Sequence, residues 1–198
     1  LLNKIRLVRR AGTNGMKKSA VLILLCGGLI PTMGGLASAQ EAAGYRENLN
    51  GGYFLLHNLY DNEAQLPILL DLKTAPPEIQ QFAVKISKTA KEGLADLERM
   101  RDADPKMNWD KNPLPRIEQQ VRDSIEGEKQ HQLLFGTKGP DFVRAFLVSQ
   151  SEATKYAANI DKVLAGQDEN PAHQRDLSHM SAEWHALYDE VFRLLRNY

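Results

Sequence analysis

Two carboxylates fall where a helix would carry apolar side chains. Glu63 is in phase with Leu59, Leu66 and Leu70, and Glu128 is in phase with Val121 and Phe135. An unpaired carboxylate in an apolar interior is costly, so each requires a partner or a pKa displaced toward neutrality. One reading joins them in an interior site that holds a cation or works as an acid. The other lets helix drift carry them to the edge of the stripe, paired with Lys or Arg. Near the C-terminus Asp176, His179 and Glu183 stand at i, i+3 and i+7, and Asp189 follows His185 by four residues. Oxygen and imidazole donors of this kind suit zinc, iron or manganese. These positions flank the apolar seam, which is also where a helix carries its ordinary solvated face. His57 and His131 are single histidines near helical seams, and Phe54, Phe142, Phe146, Tyr156 and Trp184 read as core. The candidate metal donors are Glu63, Glu128 and His185, for a divalent ion. No catalytic or organic-cofactor residue stands out.

Several chemistries have no motif here. The chain lacks a phosphate-cradling glycine loop, a Gly-x-Ser-x-Gly elbow and a His-Glu-x-x-His zinc helix. Its one cysteine, Cys26, lies in a segment expected to be removed, which would leave no disulfide, thiol nucleophile or thiolate metal site. The charge is divided unevenly. Six of the 25 basic residues and none of the 25 acidic ones precede Gln40, so the remainder carries 19 against 25, a net charge of −6. A mildly acidic domain without a basic run is poorly suited to nucleic acid, where Lys and Arg must neutralise phosphates.

The elements that would position these residues are helices. Pro76-Pro77, Asn112-Pro113, Gly139-Pro140 and Asn170-Pro171 punctuate the chain at the starts of periodic runs, where proline is tolerated. Between them apolar residues recur at three- and four-residue steps. A first helix is expected over about Gly52–Thr74, carrying Leu56, Leu59, Leu66 and Leu70, with a kink or break at Pro67. A second runs from Pro77 to about Arg101 on Ile79, Phe82, Ile86, Leu97 and Met100; Ala90 and Gly93 share that stripe and would admit a close neighbour. Met107 and Trp109, in the loop that follows, could fold over the bundle end. A third spans about Leu114–Phe135 on Ile117, Val121 and Ile125. A fourth begins at Pro140 with the heptad Phe142, Phe146, Ser149, Ala153, Tyr156, Ile160, Val163, ending at Gly166. The fifth, Pro171–Arg196, carries Leu177, Met180, Trp184, Leu187, Val191 and Leu194. No alternating strand pattern and no internal repeat is visible. The expected fold is an all-α antiparallel four-helix bundle over residues 50–198 with an additional C-terminal helix.

Ahead of this domain, residues 1–39 read as an export leader preceded by upstream residues. Met16-Lys17-Lys18 opens a short apolar run to Ile30, and Ala37-Ser38-Ala39 supplies small residues for cleavage after Ala39. The run is too short, and too interrupted by Gly27, Gly28 and Pro31, for a good membrane span. These features predict a periplasmic or secreted protein without stable membrane insertion after cleavage.

Glu63, the run Pro77-Glu78-Ile79-Gln80-Gln81-Phe82-Ala83, the run Gly139-Pro140-Asp141-Phe142-Val143-Arg144-Ala145-Phe146, and Gln150 together resemble an exported bacterial ferritin-like four-helix family of unknown function, whose members are described as outer-membrane or periplasmic proteins. The resemblance covers roughly Gly52 to Tyr188. It implies a Glu in the first helix, matched by Glu63, and Asp-His pairs in the second and fourth helices that could form an interior polar or metal site. Here those histidine positions fall on Ala90 and Thr154, so both histidines are missing; His185 could stand for the family's late histidine. The resulting expectation is a non-enzymatic envelope protein, acting by interaction with a protein partner or itself, or as a stress-related accessory. The alternatives are a divergent metal-binding protein with an interior carboxylate site, and a small-molecule carrier with a cavity between its helices.

Overall fold

A computed structural model describes residues 34–198, with side chains from residue 41 onward. The expected leader features from Met16 through Cys26 to Pro31 lie outside the described residues. Six α-helices follow: α1 (Gly34–Ala64), α2 (Leu66–Asp71), α3 (Pro77–Ala103), α4 (Arg116–His131), α5 (Gly139–Gln167) and α6 (Pro171–Leu195). No strand occurs among the described residues, so the chain is all-helical there.

Sequence punctuation explains most boundaries. Pro77, Pro140 and Pro171 each occupy the first turn of a helix, where the missing N–H has no intrahelical partner to lose. Asn170 caps α6 by accepting a hydrogen bond from the Ala172 N–H at 2.9 Å. Gly139 opens α5 at φ +55, a conformation that side-chain-bearing residues resist. Pro67 separates α2 from α1 at the single turn residue Gln65. The first helix nevertheless starts well before Gly52, and the core reaches back to the buried Leu49.

The core lies between α1, α3, α5 and α6. Cross-helix partners fix their directions. Ala64 meets Ser87 and Arg46 meets Asp104, so α1 and α3 are antiparallel. Tyr60 meets Asp161 and Tyr53 meets Asp168, so α1 also opposes α5. Lys85–Glu190 and Arg99–Asp176 set α6 against α3, and Ser181–Ala158 sets it against α5. The order of directions is up, down, down, up. The two parallel helices α3 and α5 are joined by a long crossover over residues 104–138, in which α4 lies. Met107 and Trp109 begin that crossover buried against the bundle, Trp109 stacked on His57 and covered by Arg101.

Three expectations need correction. The helix outside the core is α4, not the C-terminal helix: α6 buries Leu177, Met180, Trp184, Leu187, Val191 and Leu194, whereas α4 buries no residue. The α4 stripe expected to enter the core stays out of it, with Ile117, Val121 and Ile125 exposed by 76%, 48% and 60%. Arg122, Glu126 and Lys129, with Ile125 beside them, line the space between α4 and the bundle. A stripe reports amphipathicity and not the direction in which it is turned; a crossover anchored at both ends is oriented by its connections. The α5 heptad also fails beyond Ala153. One buried row of α5 is Phe142, Phe146, Gln150, Ala153, Ala157, Asp161 and Leu164, while Tyr156 and Val163 are exposed. That spacing repeats every 11 residues, close to the 3.6-residue turn of a straight helix, and a strict heptad drifts off such a face.

Candidate functional site

Because α4 meets the bundle with charged side chains, it stands off from the α1–α5 face and leaves open space. A cleft of about 580 Å³ lies between α4 and that face, walled by Phe54, Leu59, Ile125, Ala153 and Tyr156. A smaller cleft of about 280 Å³, toward α2, shares Asn62, Glu63, Glu126, Lys129 and Ser149 with it. Glu63 from α1 therefore sits where the two meet, with Gln150 from α5 lining the smaller one.

Both side chains are deeply buried, Glu63 with 5% and Gln150 with 3% of its surface exposed. Glu63 Oε2 and Gln150 Oε1 have no hydrogen-bond partner. Burial pushes the Glu63 carboxyl from 4.5 up to about 7; Lys129 opposes the shift, Glu126 reinforces it and the Gln150 side chain eases it. Lys129 is itself held by Glu126 at 2.6 Å. The result is a carboxyl able to hold or release a proton near neutrality, set beside an amide at the floor of a cleft open to solvent.

The other expected donors are elsewhere. Glu128 is exposed on α4 and lines a separate groove with Gln132, Asp141 and Arg144. It stands three residues before His131, the Glu-x-x-His spacing of dinuclear carboxylate bundles, but both side chains are exposed and the sequence holds no second such pair. His185 is exposed on α6. Glu63, Glu128 and His185 are thus not brought together. Asp176 pairs with Arg99 at 2.9 Å, and His179 lies 3.7 Å from Glu183 on the surface. No group of three or more His, Cys, Asp or Glu that could hold a metal occurs among the described residues. Ala90 and Thr154, the positions at which the resemblance would place histidines, are both fully buried.

Two buried polar groups escaped the sequence reading. At the bundle centre the Tyr60 hydroxyl donates to Asp161 Oδ2 at 2.5 Å, with the ring packed on Gly93 and stacked on Trp184. A Cβ at position 93 would lie 2.5 Å from the Tyr60 ring, so it is a side chain and not a helix backbone that Gly93 admits. Asp161 Oδ1 has no partner, and burial pushes this carboxyl from 3.8 to about 8, with the Tyr60 hydroxyl opposing. At the α5–α6 corner Asp168 accepts from Tyr53 and from the Asn170 N–H at 2.8 Å, and its Oδ2 meets His173 Nδ1 at 2.9 Å. Burial would raise the Asp168 pKa, but these hydrogen bonds together hold it below its ordinary value. The Asp-x-Asn-Pro turn was the available signal for this corner; for Asp161 it was the 11-residue spacing.

Comparison with known proteins returns no match: no family model fits the chain, and no curated protein or solved structure matches it. Among the described residues, no helix is long and apolar enough to cross a membrane.

Proposed function

We propose that this chain is an exported, non-enzymatic helical-bundle protein of the cell envelope, periplasmic or secreted, that acts by binding within the cleft beneath α4. We further propose a ferritin-like four-helix architecture for it, with α4 as an addition in the crossover. The up, down, down, up order with one long crossover supports that architecture, because it is the connectivity of ferritin-like bundles. The missing histidines at Ala90 and Thr154 argue for a bundle that has kept its frame without the family's interior donors.

The observation that carries the binding reading is the pair of buried, unpartnered acceptors on Glu63 and Gln150 at an open cleft. Buried polar groups are ordinarily satisfied, and exceptions call for a ligand, an ion or a water. Walls of Phe54, Leu59 and Tyr156 around a few polar groups have the make-up of a small-molecule site. The test is a ligand-observed NMR screen of a fragment library against the full chain and against Ala153→Trp, whose indole would fill the cleft. Fragments that bind the parent and not the variant are the expected result. A library without hits, or hits indifferent to Ala153→Trp, refutes the reading.

A further inference from the structure

Resting on that cleft reading, we infer that its occupant is an organic cation, a primary ammonium on a short apolar body, seated with its nitrogen between Glu63 and Gln150. The chemistry of the orphaned atoms selects the class. With Glu63 ionised, its Oε2 and Gln150 Oε1 are both acceptors, both buried and both unpartnered. An occupant that satisfies them must bring donors. A carboxylate or phosphate brings none, and would set a second anion against Glu63. An alkylammonium offers three donors and no acceptor.

The surroundings agree with that choice. Asp61, Asp123, Glu126 and Glu152 join Glu63 in lining the larger cleft, against the two cations Arg122 and Lys129. Those two cations are engaged: Arg122 with Glu118 at 2.8 Å and Lys129 with Glu126 at 2.6 Å. The excess of acidic groups attracts a cation. The apolar part of such a ligand meets Phe54, Leu55, Leu59, Ile125 and the Tyr156 ring, over which the Arg122 guanidinium already lies at 5.8 Å. Lys129 is the natural rival, since its ammonium could swing from Glu126 to Glu63. Its removal separates the two cases: a site for an external amine takes the amine in the parent already, whereas a site filled by Lys129 admits the amine only once Lys129 is gone.

The experiment uses the full chain and three probes of one shape: n-hexylamine, n-hexanol and n-hexanoate, followed by amide chemical shifts at pH 7.5. Hexylamine is expected to bind at least tenfold more tightly than either control, shifting residues 59–63 and 149–153. Glu63→Gln should weaken hexylamine at least tenfold while leaving hexanol within twofold. Lys129→Gln should strengthen hexylamine or leave it unchanged, and serves as the folded comparison if Glu63→Gln does not fold. Equal binding of hexanol and hexylamine, hexylamine affinity unchanged in Glu63→Gln, or hexylamine binding that appears only in Lys129→Gln or is lost there overturns the cation assignment. If fragments bind in a manner sensitive to Ala153→Trp but the amine has no advantage, this inference fails and the cleft reading stands. If neither fragments nor amines bind, both fail.

Discussion

Asp161 makes the stability of this protein depend on pH in a direction opposite to that of most surface carboxylates. Its side chain is fully buried, its one partner is the Tyr60 hydroxyl, and its pKa is pushed from 3.8 up to about 8. The native state therefore holds a proton that the unfolded chain releases. The associated stability is complete below the unfolded pKa and is lost as pH rises through the folded one. Between pH 5 and 8 the slope from one such group is at most about 1.4 kcal/mol per pH unit, so its ceiling over that window is about 4 kcal/mol. Glu63, raised to about 7, adds a term of the same sign between about pH 4.5 and 7. Asp168 has the opposite sign, but its lowered pKa confines its effect to more acidic conditions. Replacing Asp161 by Asn removes the titration while keeping an acceptor for Tyr60. Its unsatisfied NH₂ should cost about 1 kcal/mol at pH 5, where the native Asp161 is protonated. By pH 8 the variant should have gained up to about 4 kcal/mol relative to the parent, reversing the order of stability. Urea denaturation at fixed ionic strength, followed by the fluorescence of Trp184 and Trp109, reads this directly. Parallel pH profiles for parent and variant would refute the argument, since Asp161 would then carry the same charge folded and unfolded.

Three further outcomes follow from packing. Gly93→Ala places a methyl 2.5 Å from a Tyr60 ring pinned by Asp161 and Trp184, and should cost about 1–3 kcal/mol in urea unfolding. Leu97→Ala, at a fully buried position of α3, should cost about 2–5 kcal/mol, whereas Val121→Ser on the exposed α4 stripe should stay within about 0.5 kcal/mol of the parent in the same assay. Asn170→Ala removes the cap of α6 and should lower stability by about 0.5–2 kcal/mol, with amide exchange accelerating first at residues 171–175.

The elements differ in how openly the sequence declares them. In α3 and α6 every residue of the expected stripe is buried, because those helices keep a near-heptad seam between a proline start and a polar end. For α5 the heptad reading was correct through Ala153 and then selected Tyr156, Ile160 and Val163, one residue short of the true face. That single slip hid Asp161, the most consequential polar residue of the core. For α4 the helix was legible and its orientation was not, because nothing local to Ile117, Val121 and Ile125 records that a crossover is held by its ends. In the site, Glu63 could be found as an intruder on an apolar stripe. Gln150 could not be joined to it, since the approach of α1 to α5 is a property of the assembled bundle. Tyr53, Tyr60 and His173 carried no signal beyond composition.

Glu63 and Asp161 are the same kind of group in unequal settings, and the contrast decides which one to read as a site. Each is a buried carboxyl with an unpartnered oxygen and a pKa raised toward or above neutrality. Asp161 is closed in by packed residues: Tyr60 satisfies one oxygen, and Trp184 and Met180 pack about that tyrosine. A protonated acid there completes a core and offers no approach to a ligand. Glu63 has Gln150 beside it, another unpartnered acceptor, and faces the space that α4 leaves by presenting its charged side to the bundle. Had α4 packed its Ile117–Val121–Ile125 stripe against the bundle, that space would have become core and Glu63 a second Asp161. The orientation of one crossover helix is therefore what separates the structural acid from the proposed binding one. Its test is whether substitutions that fill the cleft, such as Ala153→Trp, abolish ligand binding while leaving the pH dependence assigned to Asp161 intact.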